Sequence, residues 1–141
     1  MEAGGQADKI INQGLCLRYH DRAKLDFGDA GRAGISLFNA QPRTLPLVLD
    51  MMERHPEGSQ AFIPISQNPF LVITAADSGQ KPGKPRAFLT KPGQCINFHR
   101  NVWHGVLTPL QKPGLFAVVD RISNTKNLQE YWLETQYVVN Y

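Results

Sequence analysis

Glycine and proline most constrain the fold of this chain, because they interrupt it before a long helix can form. Its 141 residues include 12 glycines and 10 prolines. Between these breaks lie short segments in which apolar residues alternate with polar ones or form brief apolar runs. Regularly spaced turn residues between such segments favour an all-β sandwich or barrel over a bundle of helices.

The pattern of apolar residues predicts a set of short strands in one domain with a single core. The stretch 77–85 holds two glycines, two prolines and two lysines, which predicts an exposed loop. Residues 127–137 fit either a short helix or a docking tail, and the sequence does not decide between them. The predicted strands cover residues 15–19, 34–39, 45–52, 61–65, 70–74, 86–89, 94–98 and 115–120.

The composition is that of a soluble globular protein, with 42% apolar and 19% charged residues. Because the net charge is only +3 and the basic residues are scattered, nucleic-acid binding is disfavoured, whereas a small anionic substrate fits. The longest apolar run, residues 70–76, is too short to span a membrane, and the first residues do not form a signal peptide. Free thiols at Cys16 and Cys95 fit a reducing compartment. We therefore expect a cytoplasmic protein with neither nucleic acid nor membrane as partner.

The hexapeptide at residues 99–104 is rich in groups that carry chemistry. It reads His-Arg-Asn-Val-Trp-His, and it follows a predicted strand. Histidine titrates near neutrality and binds metals, and arginine binds carboxylates through two hydrogen bonds. Because His99 and His104 are five residues apart, they converge only if the chain turns or bulges between them. The alternative for each is a structural histidine, and Trp103 is expected in the core or a cavity wall.

A second polar cluster, at residues 53–60, closes one predicted strand and opens the next. An imidazole here, together with a carboxylate or carboxamide and a later histidine, could bind a divalent ion. The candidate ligands are His55, Gln60 and His104, with Glu53 or Glu57 as the carboxylate. The alternative is that His55 caps a turn and the acidic residues are solvated. Further along, Asp120 and Arg121 form either a structural ion pair or a cavity pair.

Five sequence blocks stand out together. They are residues 18–21 (Arg-Tyr-His-Asp), 40–42 (Ala-Gln-Pro), 53–56 (Glu-Arg-His-Pro), 60–64 (Gln-Ala-Phe-Ile-Pro) and the hexapeptide 99–104. These blocks resemble the ureidoglycolate lyase family, which belongs to the cupin superfamily of small β-barrels and jelly rolls. The resemblance runs from about residue 12 to residue 121. It implies a single cupin-like domain over residues 1–141, a homodimer, and cleavage of (S)-ureidoglycolate to glyoxylate and urea in allantoin and purine degradation.

The chain departs from the family in two respects. Family members usually carry a further N-terminal segment, which this chain is expected to lack. The paired histidines of cupin metal sites are also altered, because Glu57 stands where the second histidine would fall. The family has been linked with divalent ions such as nickel, so a metal on His55, Gln60 and His104 remains an alternative.

The implied reaction requires a base, an acid and a carboxylate clamp, because ureidoglycolate is a carbinolamide that bears a carboxylate. Two of the three histidines His55, His99 and His104 could exchange the protons. Either Arg100 or Arg18 could hold the carboxylate. The urea group could bind to Gln60 and Asn97. The alternatives are a metal-dependent cupin of another class, an isomerase or dioxygenase, and a non-catalytic cupin that binds a small anion.

Overall fold

The computed structural model describes residues 1–140, which form twelve β-strands and one short 3-10 turn. No helix within these residues is long and apolar enough to cross a membrane. The strands are β1 (Lys9–Ile11), β2 (Cys16–Arg18), β3 (Arg32–Asn39), β4 (Leu47–Arg54), β5 (Gln60–Pro64), β6 (Phe70–Ala75), β7 (Arg86–Leu89), β8 (Ile96–Phe98), β9 (Trp103–His104), β10 (Thr108–Pro109), β11 (Leu115–Ile122) and β12 (Gln129–Val139).

The strands form two main antiparallel sheets and a separate hairpin. The larger sheet has the order β10–β6–β9–β4–β12, with β7 also paired to β6. The smaller sheet has the order β3–β11–β5–β8, and β1 pairs only with β2. The predicted all-β cupin-type fold is confirmed, in the form of two packed sheets of the jelly-roll kind.

The core between the two sheets is aromatic. Phe62 and Phe116 of the smaller sheet meet Phe70 of the larger one, and the rings of Phe70 and Phe116 pack edge to face with centroids 5.0 Å apart. A second apolar cluster, containing Leu71 and Trp103, forms around the larger sheet. Because neighbouring residues of a strand point to opposite faces, Phe70 and Leu71 place these clusters on opposite sides of that sheet.

The eight predicted strands coincide with β2 to β8 and β11, with ends that differ by a few residues. The helix that was an alternative for residues 127–137 is wrong, because this segment is the strand β12, which pairs with β4. A register shift between Trp132 and Tyr137 interrupts the alternation of β12 and hides it from pattern analysis. The sequence did not indicate β1, β9 and β10, which have only two or three residues each.

We predict that truncation of Phe116 destabilises the fold more than truncation of an exposed side chain does. Phe116 is 2% exposed between the sheets, so Phe116→Ala should lower the free energy of unfolding by about 3–5 kcal/mol. Leu15 is 88% exposed, and Leu15→Ala should change the free energy of unfolding by no more than about 0.5 kcal/mol. Urea denaturation of both variants measures the difference, and equal effects would contradict the described core.

Candidate active site

Glu53, His55 and His104 come together where β4 and β9 lie side by side. The pairing of these strands sets Glu53 directly opposite His104, while Thr74 of β6 flanks His104 on the other side. The carboxylate and imidazole atoms of the three residues lie within 4.8 Å of one another. The rings of His55 and His104 have centroids 5.3 Å apart. Two of the three histidines proposed from the sequence therefore converge.

The His104 ring is held firmly inside the protein. It is 1% exposed and stacks on Phe98 with centroids 4.1 Å apart and planes 4° apart. Its Nδ1 lies 3.0 Å from the carbonyl oxygen of Gly105, which can only accept a hydrogen bond. The proton of the neutral ring therefore belongs on Nδ1. The lone pair of Nε2 is left buried, with no hydrogen-bond partner among residues 1–140.

His55 is oriented in the same way from a different part of the chain. Its Nδ1 lies 2.6 Å from the carbonyl oxygen of Asn127, which assigns the proton to Nδ1. The His55 carbonyl accepts a hydrogen bond from the Asn101 N–H at 3.0 Å, which ties the site to the turn before β9. Its Nε2 is also buried and unpartnered within the described part of the chain. The site thus offers two imidazole lone pairs.

Gln60 and Asp120 extend the site onto the smaller sheet. Gln60 is 7% exposed, and its side-chain oxygen is buried without a partner in the described residues. The Ser36 hydroxyl lies 3.5 Å from the Asp120 carboxylate. Asp120 is a cavity residue, whereas Arg121 points away and forms an ion pair of 3.0 Å with Glu57. The sequence left the role of Asp120 open, and the alternation along β11 decides it.

Burial governs the electrostatics of the cluster. It lowers the pKa of His104 to about 4, so this ring is neutral at pH 7. It raises the pKa of Glu53, although the nearby His55 opposes the shift. Burial also raises the pKa of Asp120, against the opposing effects of Ser36, His55 and Gln60. The neutral imidazole of His104, beside carboxyl groups that hold protons more readily, is suited to proton transfer.

The turn between β8 and β9 separates the two histidines of the hexapeptide. Val102 donates a backbone hydrogen bond to His99 at 3.2 Å, and Asn101 has a φ of 66°. This turn directs His104 into the protein and leaves the His99 side chain exposed. The expectation that His99 belongs to the site is corrected, because only His104 reaches the cluster.

Neither of the two arginines proposed as carboxylate clamps is placed for that role. The Arg100 Nε donates to the Pro56 carbonyl at 2.6 Å, and its Nη1 lies 3.6 Å from the Asp26 carboxylate. Arg18 is exposed on the separate hairpin, paired with Lys9. Arg100 therefore fixes the loop after His55, and Arg18 lies outside the site.

Asn97 lies outside the cluster. Its neighbour Phe98 pairs with Gln60 and faces the site, so Asn97 points to the opposite face of β8. There its amide nitrogen donates to the Lys24 carbonyl at 2.9 Å, while its side-chain oxygen is buried without a partner in the described residues. The structure therefore does not bring Asn97, which the sequence suggested for the urea group, to the cluster.

The cluster has a donor set that suits a divalent metal ion. Two imidazole nitrogens with a carboxylate and an amide oxygen are ligands that first-row metals accept, and both Nε2 lone pairs are buried and unused within residues 1–140. The carboxylate in this set is Glu53. Glu57 binds Arg121 and the Thr125 hydroxyl instead. Residues His55, His104 and Glu53, with Gln60 nearby, therefore fit an ion such as nickel.

We predict that His104 makes the metal-free protein less stable as the pH falls. The unfolded chain protonates His104 near pH 6.5, whereas the folded chain does so only near its pKa of about 4, so stability is lost between these values. Between pH 7 and pH 5 the His104 side chain should therefore lower the free energy of unfolding by about 2 kcal/mol. In chelator-treated protein, urea denaturation of the parent should show this extra loss relative to His104→Gln. The exposed control His20→Gln should behave like the parent, and parallel pH profiles for all three would contradict the prediction.

The fold is an all-β jelly roll, and its site joins two buried imidazoles to a carboxyl group and a carboxamide. Such a site is typical of a cupin enzyme that uses acid–base or metal chemistry. A family model described as Ureidoglycolate lyase matches residues 1–140. The chain therefore belongs to the ureidoglycolate lyase family, which confirms the resemblance carried by the five sequence blocks.

Individual relatives agree with this assignment. The chain is 59% identical over 135 residues to Ureidoglycolate lyase from Rhodobacter capsulatus, an alignment that covers 96% of this chain and 84% of that protein. It is 51% identical over 132 residues to Ureidoglycolate lyase 2 from Rhizobium meliloti, with coverage of 93% and 81%. Ureidoglycolate lyase from Chelativorans sp. is 48% identical over 131 residues, with coverage of 92% and 79%.

Proposed function

We propose that the protein is a ureidoglycolate lyase, which cleaves (S)-ureidoglycolate to glyoxylate and urea in the degradation of allantoin and purines. Its family membership supports this reaction. The observation that carries the proposal is the cluster of Glu53, His55 and His104, whose donor atoms lie within 4.8 Å of one another. This cluster supplies the acid and base groups that cleavage of a carbinolamide requires.

The proposed reaction transfers two protons while one carbon–nitrogen bond breaks. A base removes the proton of the substrate hydroxyl, and the O–H electrons form the carbonyl of glyoxylate. The electrons of the C–N bond leave with the ureido nitrogen, which takes a proton from the acid and departs as urea. His104, with its buried Nε2 lone pair, is the proposed base. His55 lies beside Glu53 and His104, and its buried Nε2 also lacks a partner within residues 1–140, so it is the proposed acid.

Gln60 is the proposed contact for the leaving urea group. Its side-chain oxygen is buried and unpartnered in the described part of the chain, so it can accept a hydrogen bond from a urea N–H. A site whose buried acceptor is satisfied only by an N–H donor discriminates against analogues that lack one.

We predict that His104→Gln loses most of its activity whereas His99→Gln retains it. Loss of a positioned acid or base should lower kcat by about 10²–10⁴-fold, with a much smaller effect on KM. The control removes the exposed histidine of the same hexapeptide and should match the parent. The measurement is the release of glyoxylate and urea from (S)-ureidoglycolate. A parent protein that does not accelerate this release would refute the lyase and leave a metal-dependent cupin of another class or a non-catalytic anion binder.

The main alternative is that the same cluster works through a divalent ion. A bound ion would supply Lewis-acid stabilisation of negative charge on substrate oxygen. The imidazoles of His55 and His104 and the Glu53 carboxylate lie close enough together to hold such an ion.

We predict that the parent protein keeps its lyase activity after complete removal of metal. The reason is that the proposed acid and base both belong to the chain. Elemental analysis should confirm that chelator-treated protein is metal-free before its kcat is compared with that of untreated protein. Loss of activity that Ni²⁺ restores would instead assign His55, His104 and Glu53 as metal ligands.

A homodimer and a cytoplasmic location are also part of the proposal. Ile35 and Leu37 are 78% and 70% exposed on β3, and neighbouring apolar side chains of this kind favour association with a second copy. Cys16 and Cys95 are free thiols, which fits a reducing compartment.

A further inference from the structure

The substrate carboxylate requires a cation that none of the arginines bordering the cluster can provide. Arg100 is bound to Pro56 and Asp26. Arg54 donates to Asp77 at 2.9 Å and to Gln129 at 2.8 Å, on the face of β4 opposite to Glu53. Arg121 is paired with Glu57. A cation with an uncommitted guanidinium is therefore needed elsewhere on the cavity wall.

Arg43 meets this requirement. It lines an open cleft of about 580 Å³, and Glu53 lines the same cleft. Glu53 is also a member of the cluster with His55 and His104, so this residue borders both the cleft and the proposed acid and base. Among the ion pairs formed within residues 1–140, none involves Arg43.

The backbone around Arg43 is fixed although its side chain is exposed. Its N–H donates to the carbonyl of Pro109 in β10 at 2.9 Å, which holds the loop between β3 and β4 against the larger sheet. A guanidinium on an anchored backbone presents two parallel N–H donors, which match the two oxygens of a carboxylate.

We propose that Arg43 binds the carboxylate of the substrate at the mouth of this cleft and selects anionic carbinolamides. This inference rests on the proposed lyase function. With its carboxylate on Arg43, the substrate extends past Glu53 towards the two imidazoles. Its ureido group then reaches the inner part of the site, where the Gln60 oxygen lacks a partner within the described residues.

Steady-state kinetics of three variants test the proposal. Arg43→Gln should raise KM for (S)-ureidoglycolate by about 10- to 100-fold with little change in kcat, because a charge-assisted pair of hydrogen bonds is lost. Arg43→Lys should lie between parent and Arg43→Gln, because lysine keeps the charge without the paired donors. The control is Arg32→Gln, at the far end of β3, where the guanidinium donates to the neighbouring Ala33 carbonyl and forms no ion pair within residues 1–140. It should match the parent.

Binding of two small molecules separates this inference from the proposed function. Glyoxylate carries the carboxylate, and glycolaldehyde replaces that group by a neutral hydroxymethyl group. By calorimetry, Arg43→Gln should bind glyoxylate about 10- to 100-fold more weakly than the parent and glycolaldehyde equally well. Equal glyoxylate affinity in parent and Arg43→Gln would overturn the role of Arg43, even if the parent is an active lyase. If the parent releases no urea, the lyase proposal fails, and selective weakening of glyoxylate binding would still support an anion site at Arg43.

Discussion

The pairing register that sets Glu53 opposite His104 is the constraint on which the site depends. Side chains alternate along a strand, so a shift of β4 by one residue would turn Glu53 away from His104 and bring Arg54 in. Arg54 and Trp103 stabilise the register from the other face. The Arg54 guanidinium lies 4.4 Å from the centre of the Trp103 ring, and both side chains donate to the Asp77 carboxylate at 2.9 and 2.8 Å.

Alternation also explains why the two polar clusters of the sequence are so dense. In each pair of neighbours, one side chain serves the cavity and the other holds the scaffold: Glu53 and Arg54, His104 and Trp103, Asp120 and Arg121. The scaffold members are as polar as the cavity members because they tie loops to strands, as Arg121 does by donating to the Phe27 carbonyl at 2.9 Å. In a β-strand with a run of chemically reactive residues, therefore, only about half of these side chains face the site.

The sequence predicted the sheets better than the orientation of individual side chains. Strands with clear alternation were identified, while β12 was hidden by its register shift and β9 is too short to show a pattern. The sequence indicated that His99 and His104 converge only if the chain turns between them. The chain does turn there, but it brings only His104 inwards and leaves His99 exposed. The partners of Arg100 and Asn97 are Pro56 and Lys24, which are distant in sequence, so no local pattern could have shown that these side chains were already engaged.

The electrostatics of the cavity explain why the carboxylate clamp should lie at its mouth. Burial favours the neutral forms of Glu53, Asp120 and His104, so the inner site is poorly suited to a further negative charge. A carboxylate carried to that depth would lose its hydration without a compensating cation. In the proposed binding mode the carboxylate stays near solvent, paired with Arg43, while only the neutral carbinolamide enters the buried region. In that buried region bulk water does not solvate the charge that develops as a proton moves between imidazole and substrate. Oriented protein groups stabilise such charge most effectively where water is excluded.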